Sequence, residues 1–384
     1  MLFSLPKPSS SSLLVSKLPR TTLFHPNKMT QFLNLALGVF FVLGLAVLLL
    51  IFLNRRGKGK DGDGFNDLER NQQSVKGAEE REDLLTFQGG QDLTILDILE
   101  APGEVIGKAN HGTLYKAYLQ GSSTVRLLRF LRPVCTAGHD DFVSEIEFLG
   151  SIRHPNLVPL LGFYSGPRTE KLLIHPFYRR GNLAQFIRDG NGDSHRWGVI
   201  NKISIGIAKG LDHLHTGLQK PTIHGNLQSK NVLLDRNYEP YVSDFGLHLL
   251  LNSSSAQEVL EGLAANGYKA PEVIKMKDAT EETDVYSYGV ILLELLSGKE
   301  PVNEKPAFDE DFYLPNFMRN AVLGHRIADL FHPEILLYSS IDGNNVTEEK
   351  ILKFFQLAMA CCSPSPALRP SMKQVLRKLN EIGT

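Results

Sequence analysis

Residues 223–246 read IHGNLQSKNVLLDRNYEPYVSDFG, and three polar groups stand in this stretch at fixed spacing. They are His224-Gly225-Asn226, then Asn231, and then Asp244-Phe245-Gly246. Each group is short, and alone it would be weak evidence for any fold. The stretch therefore gains its meaning from the motifs that stand on either side of it.

Further motifs continue the series in both directions. Upstream, a helical stretch at 141–150 contains Glu145 and leads to His154-Pro155-Asn156-Leu157. Downstream, the order is Ala270-Pro271-Glu272, Asp284 with Tyr286-Ser287-Tyr288-Gly289, and Arg369-Pro370. A single short motif can arise by chance, but the complete series in this order and spacing is highly specific.

The series resembles the protein-kinase family. The segments at 84–85, 97–107, 267–272 and 361–372 look like the plant leucine-rich-repeat receptor kinases, in particular their kinase-like, presumed inactive members. We expect the chain to lack the ectodomain that is usual in that group. The resemblance implies an α+β, bilobal protein-kinase fold, in which a small β-rich lobe with one helix precedes a larger helical lobe.

The composition is that of an ordinary globular protein with a sizeable core, at 42% apolar and 22% charged residues over 384 positions. The formal net charge of −1 gives no electrostatic reason to expect a nucleic-acid partner. The three cysteines, Cys135, Cys361 and Cys362, form neither a disulfide framework nor a CxxC metal pattern. We therefore expect a reducing compartment, with Cys361 and Cys362 in the core.

An uninterrupted apolar segment divides the chain near its beginning. From 35 to 53 every residue is apolar or glycine, and a helix of that length rises about 28 Å, enough to cross a bilayer. The cations that follow favour a cytosolic C-terminal side: Arg55, Arg56, Lys58 and Lys60. We predict a short disordered tail at 1–34, a transmembrane helix at 35–53, a juxtamembrane linker at 54–92 and a kinase-like domain at 93–382.

Residues 1–28 allow three interpretations. They contain no acidic residue and are rich in Ser, Leu and Pro, which resembles an organelle transit peptide. They also fit a disordered tail, or a stretch upstream of a true start at Met29.

A glycine-rich hairpin is predicted between two β-like runs. Gly107 and Gly112 would let backbone N–H groups approach phosphates without an intervening Cβ, although Ala109 replaces the middle glycine of the family pattern. His175 stands where the gatekeeper of the pocket would be, either as a ligand contact or as a hydrogen-bonded pocket histidine. With Glu145, these residues outline a candidate nucleotide pocket for ATP.

The lysine with which a kinase holds the α- and β-phosphates is absent. Two registers remain open for the strand at 125–132: one puts Leu128 at the lysine position, and the other puts Arg129 there. Arg129 could pair with Glu145, but its planar fork is not equivalent to an ammonium group. In either register a large side chain points to where adenine would lie, so both registers work against nucleotide binding.

The catalytic loop departs further from the pattern. Asn226 stands where an aspartate would accept the proton of the substrate hydroxyl, and an amide cannot act as a general base. Gln228 replaces the lysine of the loop, and Gly225 replaces the arginine that would grip a phosphorylated activation loop. The serines at 253–255 are therefore a weak candidate for a phosphorylation switch and fit a solvated loop better.

Other positions match the family pattern. Asn231 and Asp244 match the two metal-ligating residues and could bind Mg²⁺ beside a nucleotide, or could simply hydrogen-bond the loop. Glu272 and Arg369 match a buried ion pair, and Asp284 matches a residue that binds backbone donors of the catalytic loop. The side chains that stack between the lobes are matched by Leu149, Leu160, His224 and Phe245. These positions predict an ordered domain.

The losses affect three separate parts of the transfer mechanism, so residual activity should be hard to detect. We predict a membrane-anchored pseudokinase of the plasma membrane, with its kinase-like domain in the cytosol. It would signal by binding other proteins, active receptor-like kinases among them, with little or no phosphotransfer. The alternatives are a weak or atypical ATP-dependent Ser/Thr protein kinase and an ATP-binding switch without transfer.

Overall fold

The structure is a computed structural model and describes residues 83–189, 192–303, 312–341 and 347–383. The predicted tail at 1–34, the predicted transmembrane helix at 35–53 and the linker up to residue 82 lie outside the described residues. Within the described ranges, no helix combines the length and the apolar character that a bilayer crossing requires.

The smaller lobe is a six-stranded antiparallel sheet with two helices. Its strands are β1 Asp83–Thr86, β2 Gly103–Ala109, β3 Gly112–Leu119, β4 Thr124–Leu131, β5 Gly162–Ser165 and β6 Lys171–Pro176. They lie in the order β1-β5-β6-β4-β3-β2. The helices are α1 Ile95–Leu99 and α2 His139–Ser151. Because side chains alternate along a β-strand, consecutive residues of the central strand β4 face opposite sides of the sheet.

Strand β1 corrects the boundary of the predicted linker. It pairs with β5, with Leu84 opposite Tyr164, and Phe87 packs against the buried core just after it. Residues 83–92 therefore belong to the folded lobe. The reason is that a four-residue edge strand next to an acidic cluster is too short to stand out in a composition average.

The larger lobe is built mainly of helices around α6, which is buried on nearly every side. The helices are α3 Leu183–Arg188, α4 Trp197–Thr216, α5 Ser253–Ala265, α6 Glu281–Ser297, α7 Leu314–Leu323, α8 Glu334–Ile341, α9 Glu348–Cys361 and α10 Met372–Gly383. A Cβ added at Gly289 of α6 would lie 2.7 Å from atoms of both Cys361 and Cys362, so α9 packs directly on that glycine. Burial raises the pKa of the Cys361 thiol to about 12, which keeps this core thiol protonated.

A two-stranded antiparallel hairpin, β7 Val232–Leu234 and β8 Pro240–Val242, positions the polar motifs of the larger lobe. Asn231 comes directly before β7 and Asp244 stands two residues after β8, so the pairing brings both side chains to the same end of the hairpin. Leu149, Leu160 and Phe245 are buried in one hydrophobic cluster, and His224 is fully buried as well. The two lobes are thus joined by packed side chains behind the site.

Candidate active site

A cleft of about 360 Å³ lies between the β2–β3 hairpin and the loops of the larger lobe. The hairpin contributes residues 107–114. Glycine is required at position 112, because a Cβ there would lie 2.2 Å from the Phe130 carbonyl oxygen. The larger lobe contributes Asn226, Gln228, Lys230, Asn231 and Asp244, and α5 lines the remaining side.

The structure decides between the two registers of β4. Leu128 is 5% exposed and belongs to the core of the smaller lobe. Arg129 lies on the opposite face and lines the cleft, where its Nη2 donates to Asp244 Oδ1 at 2.5 Å. The two side chains are only 12% and 15% exposed. Of the two candidates, Arg129 is therefore the side chain that faces the cleft, and its partner is Asp244, for which the sequence left open either Mg²⁺ binding or hydrogen bonding within the loop.

Arg129 does not pair with Glu145, the partner that the sequence allowed. Glu145, on α2, accepts from Lys220 Nζ at 2.7 Å through its Oε1. Its Oε2 is buried and has no hydrogen-bond partner in the described part of the chain. Glu145 thus pairs with Lys220, and Arg129 pairs with Asp244. Glu145 is not among the residues that line the cleft.

The two expected metal ligands are both engaged by the protein itself. Asp244, with a left-handed backbone at φ 65°, turns its carboxylate to Arg129. Asn231 donates from Nδ2 to the Asn226 carbonyl oxygen at 2.9 Å. A guanidinium group therefore stands where Mg²⁺ would need an open carboxylate. In this arrangement the residues do not fit a Mg²⁺–nucleotide complex unless Arg129 moves away.

A chain of amide groups replaces the expected acid–base machinery. Gln228 Nε2 donates to Asn226 Oδ1 at 2.8 Å, and Asn266 Nδ2 donates to Gln228 Oε1 at 3.2 Å. Asn266 follows the last residue of α5, so this chain connects the catalytic loop to the helix beside the cleft. Amide groups stay neutral in the usual pH range, and none of them can take a proton from a hydroxyl group.

The space next to Gly225 is filled by another side chain. Gly225 has a left-handed φ of +73°, and a Cβ added there would lie 2.6 Å from His248 Nδ1. Burial lowers the pKa of His248 to about 4, so this ring is uncharged at neutral pH. An arginine at position 225 would be strained and would collide with His248, which removes the site where a phosphorylated loop would be gripped.

The serines at 253–255 form the first turn of α5 and not a solvated loop. Asn252 caps the helix, with its side chain accepting from Ser255 N at 2.9 Å and donating to the Val134 carbonyl oxygen at 2.8 Å. Ser253 and Ser254 are exposed, whereas Ser255 is buried. The cap holds this segment against the connection between β4 and α2.

Asp284 supports the catalytic loop from below. Its carboxylate accepts from the backbone N–H groups of His224 and Gly225 at 2.6 and 3.0 Å, and it is bound by His215 Nε2 at 2.9 Å. Burial alone would raise the pKa of Asp284, but these hydrogen bonds and the nearby histidines outweigh burial and hold the pKa below its usual value. The loop is therefore held in shape although its chemistry is missing.

Arg369 and Glu272 form a two-pronged ion pair. Nη1 donates to Oε1 at 2.6 Å and Nη2 to Oε2 at 2.8 Å. Arg369 also donates to the carbonyl oxygens of Ser363 and Glu282 at 2.8 and 2.9 Å. With these bonds the side chain is satisfied in a fully buried position, the arrangement in which arginine is more suitable than lysine.

His175 lines a small cavity of about 40 Å³ behind the cleft, together with Arg129, Leu149 and Phe245. Its Nδ1 lies 3.0 Å from the Pro159 carbonyl oxygen. Burial lowers the pKa of His175 to about 4. The ring is a neutral, hydrogen-bonded side chain at the rear of the site.

Sequence reasoning missed four residues that shape the site: Lys220, Lys230, His248 and Asn266. Lys230 lines the cleft two positions beyond Gln228, where the loop lysine would have been. Burial lowers the pKa of Lys230, and Asp244 acts in the opposite direction. The lysine at position 230 could have been found in the sequence, whereas the contacts of Lys220, His248 and Asn266 depend on the folded chain.

Comparison with known proteins places these observations in a family. The family model described as protein tyrosine and serine/threonine kinase matches residues 101–379. The chain is 36% identical over 345 residues to the putative kinase-like protein TMKL1 of Arabidopsis thaliana, covering 88% of this chain and 50% of that protein. It is 39% identical over 315 residues to the probable leucine-rich repeat receptor-like protein kinase IMK3 of the same plant, covering 82% and 39%.

A probable inactive receptor kinase of Arabidopsis thaliana is 31% identical over 400 residues, covering 98% of this chain and 60% of that protein. The chain thus spans about half the length of the curated relatives that it matches.

Two solved structures, one of a kinase domain and one of a pseudokinase domain, are similar to this chain. The maize SIRK1 kinase domain bound to AMP-PNP is 28% identical with a TM-score of 0.66, covering 79% of this chain and 100% of that one. The pseudokinase domain of BIR2, an immune regulator of the RLK/Pelle family, is 28% identical with a TM-score of 0.62, covering 79% and 91%. Both comparisons support the bilobal kinase fold.

Proposed function

Given that the chain belongs to the protein tyrosine and serine/threonine kinase family, among the plant receptor-like kinases, we propose that it is a membrane-anchored pseudokinase. It signals by binding other proteins and transfers little or no phosphate. Its kinase-like domain faces the cytosol, below a single spanning helix at 35–53 in the plasma membrane. Its partners are other signalling proteins, with active receptor-like kinases as the first candidates.

The ion pair between Arg129 and Asp244 is the observation that carries this proposal. Phosphoryl transfer needs an open carboxylate for Mg²⁺ and a cation that is held by the helix glutamate. Here the ion pair between Arg129 and Asp244 removes both requirements, because Arg129 neutralises Asp244 and is itself unavailable to Glu145. A metal ion would have to break a largely desolvated pair before it could bind, and breaking such pairs is costly.

The amide chain supports the same conclusion from the other side of the cleft. Even with a nucleotide in place, Asn226 could not accept the proton of a substrate hydroxyl. Its Oδ1 already accepts a hydrogen bond from Gln228. Loss of a general base alone typically lowers the rate by about 10²–10⁴-fold.

One observation favours a second candidate, an ATP-binding switch without transfer. Lys230 adds a cation to the cleft, and residues 107–112 still form a hairpin with glycine at both ends. AMP-PNP in the related SIRK1 kinase domain supports testing adenine nucleotides first. A weak or atypical Ser/Thr kinase is the third candidate, since Asn231 and Asp244 are still present in the cleft.

Nucleotide binding and transfer distinguish the three candidates. We expect that millimolar ATP, with or without Mg²⁺, leaves the thermal midpoint of the purified full chain unchanged. Stabilisation without phosphate incorporation would favour the switch. Phosphate incorporation in a single-turnover assay, abolished by Asp244→Ala, would overturn the pseudokinase proposal in favour of the slow kinase.

A further inference from the structure

Three potential metal ligands from two distant segments meet in the larger lobe, away from the residues that line the cleft. His195 stands two residues before α4, and His332 and Glu334 stand at the beginning of α8. One ligand atom from each side chain lies within 4.8 Å of the other two. Two imidazole groups and a carboxylate are a donor set that zinc commonly uses.

The scaffold around these side chains is well defined. His332 N donates to the Leu296 carbonyl oxygen at 2.8 Å, which fixes its backbone against the end of α6. Gly298, the residue after α6, has a left-handed φ of +69° and leaves room for both rings, since a Cβ there would lie 3.4 Å from each of them. Three segments of the lobe therefore converge on this point.

His195 carries a polar atom that the protein does not satisfy. The side chain is 95% buried, as only 5% of it is exposed. Its Nδ1 is buried and has no hydrogen-bond partner in the described part of the chain. Buried polar atoms nearly always have a partner, and an orphaned one points to a missing ligand.

The other two ligands are half-buried. The rings of His195 and His332 are stacked, with centroids 3.6 Å apart and planes at 4°. His332 Nδ1 accepts from the backbone N–H of Glu334 only at 3.4 Å, too long for a strong hydrogen bond. Turning the His332 ring out of the stack therefore gives up little.

We propose that His195, His332 and Glu334 bind a divalent transition-metal ion of the zinc type, with water as the fourth ligand. Zinc holds imidazole nitrogen at about 2.0–2.1 Å and carboxylate oxygen at about 2.0–2.2 Å, which puts tetrahedral ligands about 3.3 Å apart. The ligand atoms approach by up to about 1.5 Å, through rotation of His332 and Glu334. The stack is the metal-free form, and the bound ion ties the start of α4 to the start of α8.

The site is independent of the proposed pseudokinase function. None of the three ligands is among the residues that line the cleft. An ion bound by the folded state and not by the unfolded chain raises stability by mass action. At about 100 times the dissociation constant, the thermal midpoint should rise by roughly 5 °C.

The test uses the full chain, purified in detergent and stripped with a chelator. Zn²⁺ is titrated by calorimetry in the presence of excess Mg²⁺, and Co²⁺ is added separately to record its visible absorption. We expect one Zn²⁺ per chain with a micromolar or tighter dissociation constant, and a tetrahedral Co²⁺ spectrum. Absence of Zn²⁺ binding to the native chain overturns the proposal.

Two variants locate the site. His332→Phe keeps a ring on His195 without offering a ligand, and Glu334→Gln keeps the size of the third ligand without its charge. Each should weaken Zn²⁺ binding at least tenfold while the metal-free thermal midpoint stays near the native value. If either variant fails to fold, the other still decides the question.

A second stacked pair provides a matched control. His154 and His213 lie with ring centroids 4.9 Å apart and planes at 21°, and they are not part of a metal-ligand group among the described residues. His213→Phe should bind Zn²⁺ as the native chain does. Equal affinity in His332→Phe, Glu334→Gln and the native chain would show that the ion binds elsewhere, and the proposal would be wrong.

Discussion

The cleft and the buried polar residues that hold the larger lobe in shape, here called the support, use the same kinds of side chain for opposite purposes. In the cleft, Asp244 accepts a guanidinium group, and Asn226 and Gln228 bind each other. In the support, Asp284 holds the backbone of the catalytic loop and Arg369 grips Glu272. The groups that perform transfer and the groups that hold the fold are therefore separate, so a chain can lose the first set and keep the second.

The largest effect should come from the support. Arg369→Ala removes a fully buried side chain and leaves Glu272, which is 29% exposed, and two carbonyl oxygens without their partner; losing hydrogen bonds to a charged group costs about 1.5–3 kcal/mol. We expect the free energy of unfolding in urea to fall by about this amount. Lys353→Ala, in an exposed pair with Glu349 on α9, is the control and should leave the unfolding midpoint unchanged. Equal losses of unfolding free energy in the two variants would show that this buried arginine contributes no more to stability than an exposed ion pair does.

Glu294 gives the support a pH dependence. It accepts from Tyr268 Oη and Ser229 Oγ, and burial raises its pKa to about 8 from the ordinary 4.5. The folded state then keeps a proton that the unfolded state loses, so the contribution of Glu294 to stability is greatest below pH 4.5 and falls as pH rises towards 8. We expect a loss of up to about 1.4 kcal/mol per pH unit, absent in Glu294→Gln.

The control for that measurement is Glu381→Gln, because Glu381 is a largely exposed carboxylate of the same lobe. It should keep the native slope of stability against pH. An unchanged slope in Glu294→Gln would mean that Glu294 is ionised in the folded protein.

Arg129 tests the cleft directly. Arg129→Gln removes the charge that neutralises Asp244, at a cost of about 1–3 kcal/mol for the unpaired carboxylate. We expect millimolar Mg²⁺ to raise the thermal midpoint of this variant by a few degrees and to leave that of the native chain unchanged. Arg126→Gln is a matched control, because Arg126 stands on the same strand but pairs with Asp92 at 3.0 Å.

Arg126→Gln should respond to Mg²⁺ as the native chain does. If Mg²⁺ stabilises the native chain and the Arg129→Gln variant equally, then the ion pair does not close the metal site, and the central observation behind the proposed function loses its force.

The smallest effect should follow from restoring the base alone. Asn226→Asp replaces the amide by a carboxylate, but Arg129 still occupies Asp244 and no lysine holds the phosphates. We expect no phosphate incorporation in a single-turnover assay with Mg-ATP. Strong activity in this single variant would show that the cleft is intact except at one position.

The bilobal fold could be predicted because it depends on an ordered series of motifs, whose members remain recognisable even where their chemistry is lost. The register of β4 stayed open, because Leu128 and Arg129 are both compatible with a strand and only the sheet decides which one faces the cleft. The partner of Arg129 could not be predicted for a related reason. Whether a long side chain reaches Glu145 or Asp244 depends on where Lys220 lies, and no local pattern reports that.

Helix α5 was not predicted from the sequence for a different reason. Its serine-rich beginning is typical of a loop, yet the cap by Asn252 and the buried positions Ala256, Val259, Leu260 and Leu263 stabilise a helix there. The apolar spacing was present in the sequence. Local composition in the first turn concealed it.

Lys220 belongs to the larger lobe, and the helix that carries Glu145 belongs to the smaller one, so the ion pair between them links the two lobes. In a working kinase a nucleotide bridges the lobes and reports its presence by drawing them together. The pair between Lys220 and Glu145 links the lobes without a nucleotide, but Lys220 is 59% exposed, and a pair of this exposure contributes only about 0–1 kcal/mol. The buried side chains behind the site therefore contribute more to holding the lobes together than this ion pair does.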